Sequence, residues 1–147
     1  MAGMTYTAQA QVDLSTAEIY GRVLTELAAE HEDIVGLSAD LAKSTKIGLL
    51  GDKFPERFFN VGIAEQDMMG IAAGLASAGF TPFVSTFAAF ASMRACEQVR
   101  TDICYNQKNV KIIATHTGTS FGQAGTTHHC TEDIAIMRSF AGMVVLN

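Results

Sequence analysis

A chain of 147 residues, 48% of them hydrophobic and none of them Trp, is long enough for one domain with a real core. Its formal charge of −5 and its lack of any Lys/Arg cluster exclude the electrostatic footprint of a nucleic-acid or anionic-membrane binder. Cys96, Cys104 and Cys130 make no CxxC pair, and the start, "MAGMTYTAQAQVDLS", has neither the basic beginning nor the apolar centre of a signal peptide, so reduced thiols in a cytoplasm are expected.

In chain order, residues 1–14 read as a flexible leader and 15–147 as one domain. Ser15 precedes Glu18 by three positions, a capping box, and the apolar residues Ile19, Val23, Leu24 and Leu27 then share one helical face. Short apolar runs predict strands over 34–38 (IVGLS), 58–63 (FFNVGI), 81–86 (TPFVST) and 110–117 (VKIIATHT), with a fifth in "GMVVLN" at the end. Helices are expected over 64–77, 88–104 and 132–140, while "LLGDKFPE" reads as a loop. The uncharged run from Met68 to Met93 has the length of a membrane span, but Gly79 and Pro82 interrupt it.

Alternating strands and helices predict an α/β fold: a doubly wound, mostly parallel sheet with helices on both faces and right-handed crossovers. Ligands of such sheets bind beyond the carboxyl ends of the strands. Asp40, Glu65, Phe87 and the loop after His116 should therefore gather at one edge. A strand in this position is normally followed by a loop and a helix, so the domain is expected to continue past Asn147.

Glu65 stands where a strand hands over to a helix, beside Gln66 and Asp67. The helix dipole alone would account for acids in a first turn. The sharper alternative aims Glu65 into a ligand site with Asp67 in solvent, where burial would favour the protonated form of the carboxyl. The segment "ATHTGTSFGQAGTTHHCTED" interleaves glycines with Thr, Ser and three His but matches neither a P-loop nor a dinucleotide fingerprint. His116, His128, His129 and Cys130 are a weak zinc set, since adjacent His128 and His129 would struggle to face one ion; hydrogen bonding to an oxygen-rich substrate or carrying protons suits them better. Phe87 and Phe90, three apart, fit either core packing or a stacking wall for a flat heterocycle. Asp40 is either a turn cap or a ligand contact.

Together "GLSADLAKS", "RFFNVGIAEQDMMGIAAGLASAGFTPFVSTFAAF", "EQVR" and "ATHTGTSFGQAGTTHH…EDIAIMRS" resemble, in order and spacing, the pyrimidine-binding domain of transketolase and its thiamin-diphosphate relatives. The resemblance implies that Glu65 hydrogen-bonds N1′ of the cofactor's aminopyrimidine, that Ile63 holds the cofactor in its bent shape, and that Phe87 and Phe90 form the wall on which the pyrimidine stacks. It implies a cofactor-proximal acid in Asp40, a sugar-phosphate contact in Ser44, and in His116 and His128 groups that bind ketose hydroxyls and assist proton transfer. Departures from the family pattern are Gln123, Ala124, Gly125 and Thr126, where an acidic pair and Gly-Pro are usual, the lack of an arginine near Ala17, and one extra residue after Phe90. No Gly-Asp-Gly…Asn motif is present, so the diphosphate and Mg²⁺ are expected on a partner subunit or domain, with no metal held by this chain, and a homo-oligomer is expected. The activity implied is two-carbon ketol transfer between sugars. Rivals are 1-deoxyxylulose-5-phosphate synthase, a 2-oxo acid dehydrogenase of the beta type, and a non-catalytic module of the same fold.

Overall fold

Ser15 begins the first helix, α1 (Thr16–Glu30), through both halves of the expected capping box: Glu18 N donates to Ser15 Oγ at 3.2 Å, and Ser15 N donates to Glu18 Oε2 at 3.3 Å. The computed structural model describes residues 15–147; the expected leader over 1–14 lies outside them. Leu24 and Ala28 point into the body of the domain, and Tyr20 Oη shares a 2.7 Å hydrogen bond with Ser85 Oγ. Burial pushes the Tyr20 phenol well above its ordinary value, with the Ser85 bond acting the other way. Arg57 Nη1 donates to the carbonyls of Ala28 at 2.9 Å and His31 at 3.1 Å, satisfying two acceptors that the end of α1 leaves open.

Four strands follow: β1 (Ile34–Ser38), β2 (Phe58–Asn60), β3 (Thr81–Phe87) and β4 (Lys111–Thr115). They pair in the order β2-β1-β3-β4, every pair parallel, with Ser38 opposite Asn60 and Ser85, and Phe87 opposite Thr115. The register brings the carboxyl ends of all four to one edge. Strand β1 is wholly buried, as a central parallel strand covered on both faces must be.

On one face Val35, Leu37 and Val84 pack with Met68, Met69, Ala72 and Ala73 of α4 (Glu65–Ser77). On the other, Ile34 packs with Leu24 and Ala28 of α1 and with Ile47 and Leu50. The doubly wound α/β arrangement is as expected. Small residues bring the layers close: a Cβ on Gly21 would lie 2.5 Å from the Lys46 carbonyl oxygen.

Local departures have local causes. Strand β2 stops at Asn60 rather than residue 63, because Gly62 turns the chain at φ +76°. "LLGDKFPE" is not a loop: residues 48–53 form α3 (Gly48–Lys53), preceded by the short α2 (Ala42–Thr45), and Leu50 of α3 is fully buried. The helix expected over 88–104 is wound unevenly. A π turn at Phe90–Arg94, with Ala95 N donating to the Phe90 carbonyl at 3.1 Å, leads into α5 (Cys96–Gln98) and a second π segment, Val99–Tyr105. A π turn absorbs one extra residue without ending a helix. Helix α6 (Asp133–Arg138) is shorter than its expected span. The run "GMVVLN" forms no strand: after Gly142, at φ +80°, Val144 and Leu146 are 79% and 90% exposed and no ladder joins them to β4. Apolar composition suits a strand, but only a hydrogen-bonded neighbour makes one. Among the described residues, no helix is long and apolar enough to cross a membrane.

Candidate active site at the carboxyl edge of the sheet

Glu65 opens α4 and is 1% exposed, while Asp67, two residues on, is exposed. The carboxyl is buried as the sharper reading required, but it does not stand alone. Arg94 Nη1 donates to Oε1 at 2.9 Å and to Oε2 at 2.8 Å. Its own side chain is 44% exposed, and its guanidinium carbon sits 4.1 Å from the centre of the Phe90 ring. One cation thus touches both the buried carboxylate and the face of an aromatic ring, and the π turn at Phe90–Arg94 places it there.

Phe87 ends β3 and is 4% exposed. Its ring centre lies 5.8 Å from that of Phe90, 4.3 Å from His116, 5.2 Å from Phe121 and 6.1 Å from His128. His128 in turn meets Phe90 edge-on at 5.4 Å and Phe121 at 5.3 Å. Five rings therefore form one cluster beyond β3 and β4. His116 and Phe121 pack against Phe87, and the half-buried Phe90 is the ring that Arg94 links to Glu65.

The loop that carries both histidines is closed on itself. Gly118 N donates to the Cys130 carbonyl at 2.6 Å, and Cys130 N donates to that of Gly118 at 2.8 Å. His116 follows β4 at φ +59° and shares a 2.9 Å hydrogen bond with Thr115 Oγ1. Burial, and secondarily the nearby His128, hold the His116 imidazole below the ordinary histidine value. His128 shares a 2.9 Å bond with Thr127 Oγ1. Two neighbours considered as zinc ligands are engaged elsewhere: His129 Nε2 with the Gly122 carbonyl at 3.1 Å, and buried Cys130 Sγ with Ser92 Oγ at 3.4 Å.

The other candidates sit farther along the same edge. Asp40, two residues beyond β1 at φ +59°, is tied to β2 through Asn60: its backbone N donates to Asn60 Oδ1 at 3.0 Å, which also accepts from Gly62 N at 3.2 Å. Asn60 thereby aligns the two turns that carry Asp40 and Ile63. Ile63 is 77% exposed just ahead of Glu65, and Ser44 is exposed on α2. Neither Asp40 nor Ser44 joins the ring cluster. Arg94 and Phe121 are the residues that sequence reasoning missed. Each had a signal: Arg94 is the first charged side chain after Asp67, and Phe121 is the one phenylalanine in the glycine-rich loop.

A buried carboxyl group, an arginine that joins it to an aromatic face and a pair of imidazoles thus lie at the carboxyl edge of the sheet. The family model described as "Transketolase, pyrimidine binding domain" matches residues 12–147, and the chain belongs to that family. It is 50% identical over 127 residues to a putative transketolase C-terminal section from Methanocaldococcus jannaschii, covering 86% of this chain and 40% of the relative. One of the subunits of an apulose-4-phosphate transketolase from Phocaeicola vulgatus is 43% identical over 123 residues, 84% of this chain and 39% of that one. A 1-deoxy-D-xylulose-5-phosphate synthase from Syntrophus aciditrophicus is 34% identical over 138 residues, 94% of this chain and 21% of the relative. Among solved structures, a split gene transketolase described as an inactive beta4 tetramer superposes with a TM-score of 0.75 at 52% identity, covering 87% of this chain and 41% of the other. The transketolase of Campylobacter jejuni superposes at 0.78 with 28% identity, over 94% and 22% of the two chains. The chain thus spans about two fifths of the transketolase sections and subunits it matches.

Proposed function

We propose that this chain is the pyrimidine-binding half of a transketolase, moving a two-carbon ketol unit from a ketose to an aldose, with Glu65 as the group that activates thiamin diphosphate. The observation that carries the reading is the continuous line from the buried Glu65 carboxyl through Arg94 to the Phe90 face and on to His128 and His116. The donor set fits the pyrimidine end of the cofactor: one carboxyl for a ring nitrogen and one aromatic face for a ring. It does not fit the diphosphate end, since the sequence carries no Gly-Asp-Gly…Asn motif. The diphosphate and its Mg²⁺ belong, on this reading, to a partner subunit or domain, and the assembly contains more than one copy of this chain in a cytoplasmic enzyme.

Thiamin diphosphate, when bound, supplies a nucleophilic carbon and an electron sink for the ketol fragment. Glu65 would share a proton with the pyrimidine nitrogen, in a place from which water is excluded. Phe90 would offer the stacking face, and it packs on Phe87, which in turn meets His116 and Phe121. Ile63 would limit the conformation of the bound cofactor, Asp40 would flank it, and Ser44 would meet the donor's phosphate. His116 and His128 would bind ketose hydroxyls and carry protons; burial and the nearby His128 favour the neutral form of His116.

A 1-deoxyxylulose-5-phosphate synthase shares this half-site, and the relative at 34% identity supports it as the second reading. The test mixes the chain with a diphosphate-domain partner, thiamin diphosphate and Mg²⁺, and follows ketol transfer. The chain alone should be inactive and the mixture active. Glu65→Gln should reduce turnover by about 100-fold or more, the scale of one acid–base group. Turnover that survives Glu65→Gln would remove the role given to that residue, and activity from the chain alone would remove the split site.

A further inference from the structure

The position of Arg94 has a chemical meaning beyond that of a counter-ion. Its guanidinium is planar, stacks on Phe90 with 4.1 Å from carbon to ring centre, and directs N–H donors at both oxygens of Glu65, at 2.9 and 2.8 Å. Both bonds come from the single nitrogen Nη1, and one nitrogen of a flat group meeting that carboxyl over that aromatic face is the arrangement a pyrimidine ring nitrogen would adopt. We infer that Arg94 is an intramolecular placeholder for the pyrimidine: it fills the ring's position while the site is unloaded and is displaced when the cofactor enters. The inference rests on the reading of Glu65 as the cofactor's carboxyl partner.

Three observations carry it. Glu65 is 1% exposed, and a buried carboxylate left without a partner is costly, so the unloaded site needs a stand-in cation. Arg94 is 44% exposed, so its head can swing outward into water without stranding a charge. It is also the last residue of the π turn that begins at Phe90, which Ala95 N closes onto the Phe90 carbonyl at 3.1 Å, so a side-chain rotation suffices and no backbone element has to move. Both partners cannot use the site together. A guanidinium against the carboxylate opposes the proton sharing with a ring nitrogen that activation requires, and it covers the face on which the ring would stack.

Loading is therefore an exchange, in which the ion pair of Glu65 with Arg94 is given up for the contact of Glu65 with the cofactor. Removing the competitor should tighten binding. In the complex with the diphosphate-domain partner, with Mg²⁺ saturating, calorimetric titration of thiamin diphosphate should give an Arg94→Gln variant a Kd about tenfold lower than wild type, the scale of one charge-assisted hydrogen bond partly screened by water. The same variant, as the chain alone, should melt at a lower temperature than wild type, because Glu65 loses its partner. Glu65→Gln with Arg94→Gln should recover much of that loss. A residue with only a structural role would weaken binding when removed, so the sign of the change decides. Should Arg94→Gln fail to assemble, Arg94→Lys keeps a cation without the planar fork and should also lower Kd, by less. An unchanged or raised Kd in whichever variant assembles would overturn the placeholder. A wild-type complex that binds no thiamin diphosphate would instead sink the proposed function, and this inference with it.

Discussion

Truncating Phe87 to alanine tests whether the ring cluster sets the chemistry of the histidine loop. Phe87 is 4% exposed and contacts four other rings at centre distances from 4.3 to 6.1 Å. Buried Phe→Ala changes cost roughly 3–5 kcal/mol through lost burial and the cavity left behind. At about 2–4 °C per kcal/mol for a chain near this size, the melting temperature should fall by roughly 10 °C. The chemical consequence is separate and more specific. Burial is the leading cause of the depressed His116 value, and Phe87 is the ring closest to His116 of those that stack against it, so opening that wall should let the titration of His116 rise toward 6.5. Titration of the imidazole proton signals by NMR reads this directly, with His129, whose ring bonds the Gly122 carbonyl, as internal reference. Phe87→Leu, which keeps most of the volume, should lose less stability and shift His116 less. If His116 in the folded alanine variant titrates as in wild type, desolvation by this cluster is not what holds it down, and the end of β3 does not govern the loop.

Two further outcomes follow from the same loop. Gly125 lies at φ 71° and ψ −164°, a region open essentially to glycine, and a Cβ there would meet nothing within 4 Å; Gly125→Ala should therefore cost about 1–3 kcal/mol by backbone strain alone, and should displace His128, whose backbone N donates to the Gly125 carbonyl at 3.0 Å. Retained nuclear Overhauser contacts between His128 and Phe90 in that variant would count against it. Between the depressed folded value of His116 and 6.5, the unfolded chain binds more protons than the folded one, so this residue should make stability fall as pH drops through about 6.5; melting curves from pH 7.5 to 5.5 should lose part of that slope in His116→Gln, and an identical slope would refute it.

Strand positions were legible because burial in a parallel sheet writes itself as short apolar runs: "IVGLS" is β1 to the residue. Helix α1 was legible through a cap whose two hydrogen bonds join residues three apart. What failed was whatever depends on a neighbour far along the chain. The run "GMVVLN" has the composition of a strand without the ladder. "LLGDKFPE" reads as a loop, yet Leu50 is drawn into the face of the sheet by Leu24 and Ile34, residues that no local window contains.

The site divides the same way, and the division says something about how it works. Glu65 could be singled out because a lone carboxyl at the head of an apolar helix is a local oddity. Its partner had only a weak signal, the first charge after Asp67, because Arg94 reaches Glu65 across 29 positions and only through a π turn that sets the arginine over Phe90. In the folded chain the π turn at Phe90–Arg94 is the device that brings a cation over the aromatic face. A site built to be entered by a flat heterocycle must be stable before that ligand arrives, and an apolar crevice with a bare carboxylate is not stable. Supplying a planar cation from the adjacent π turn answers that requirement, and the half-exposed guanidinium keeps the answer reversible.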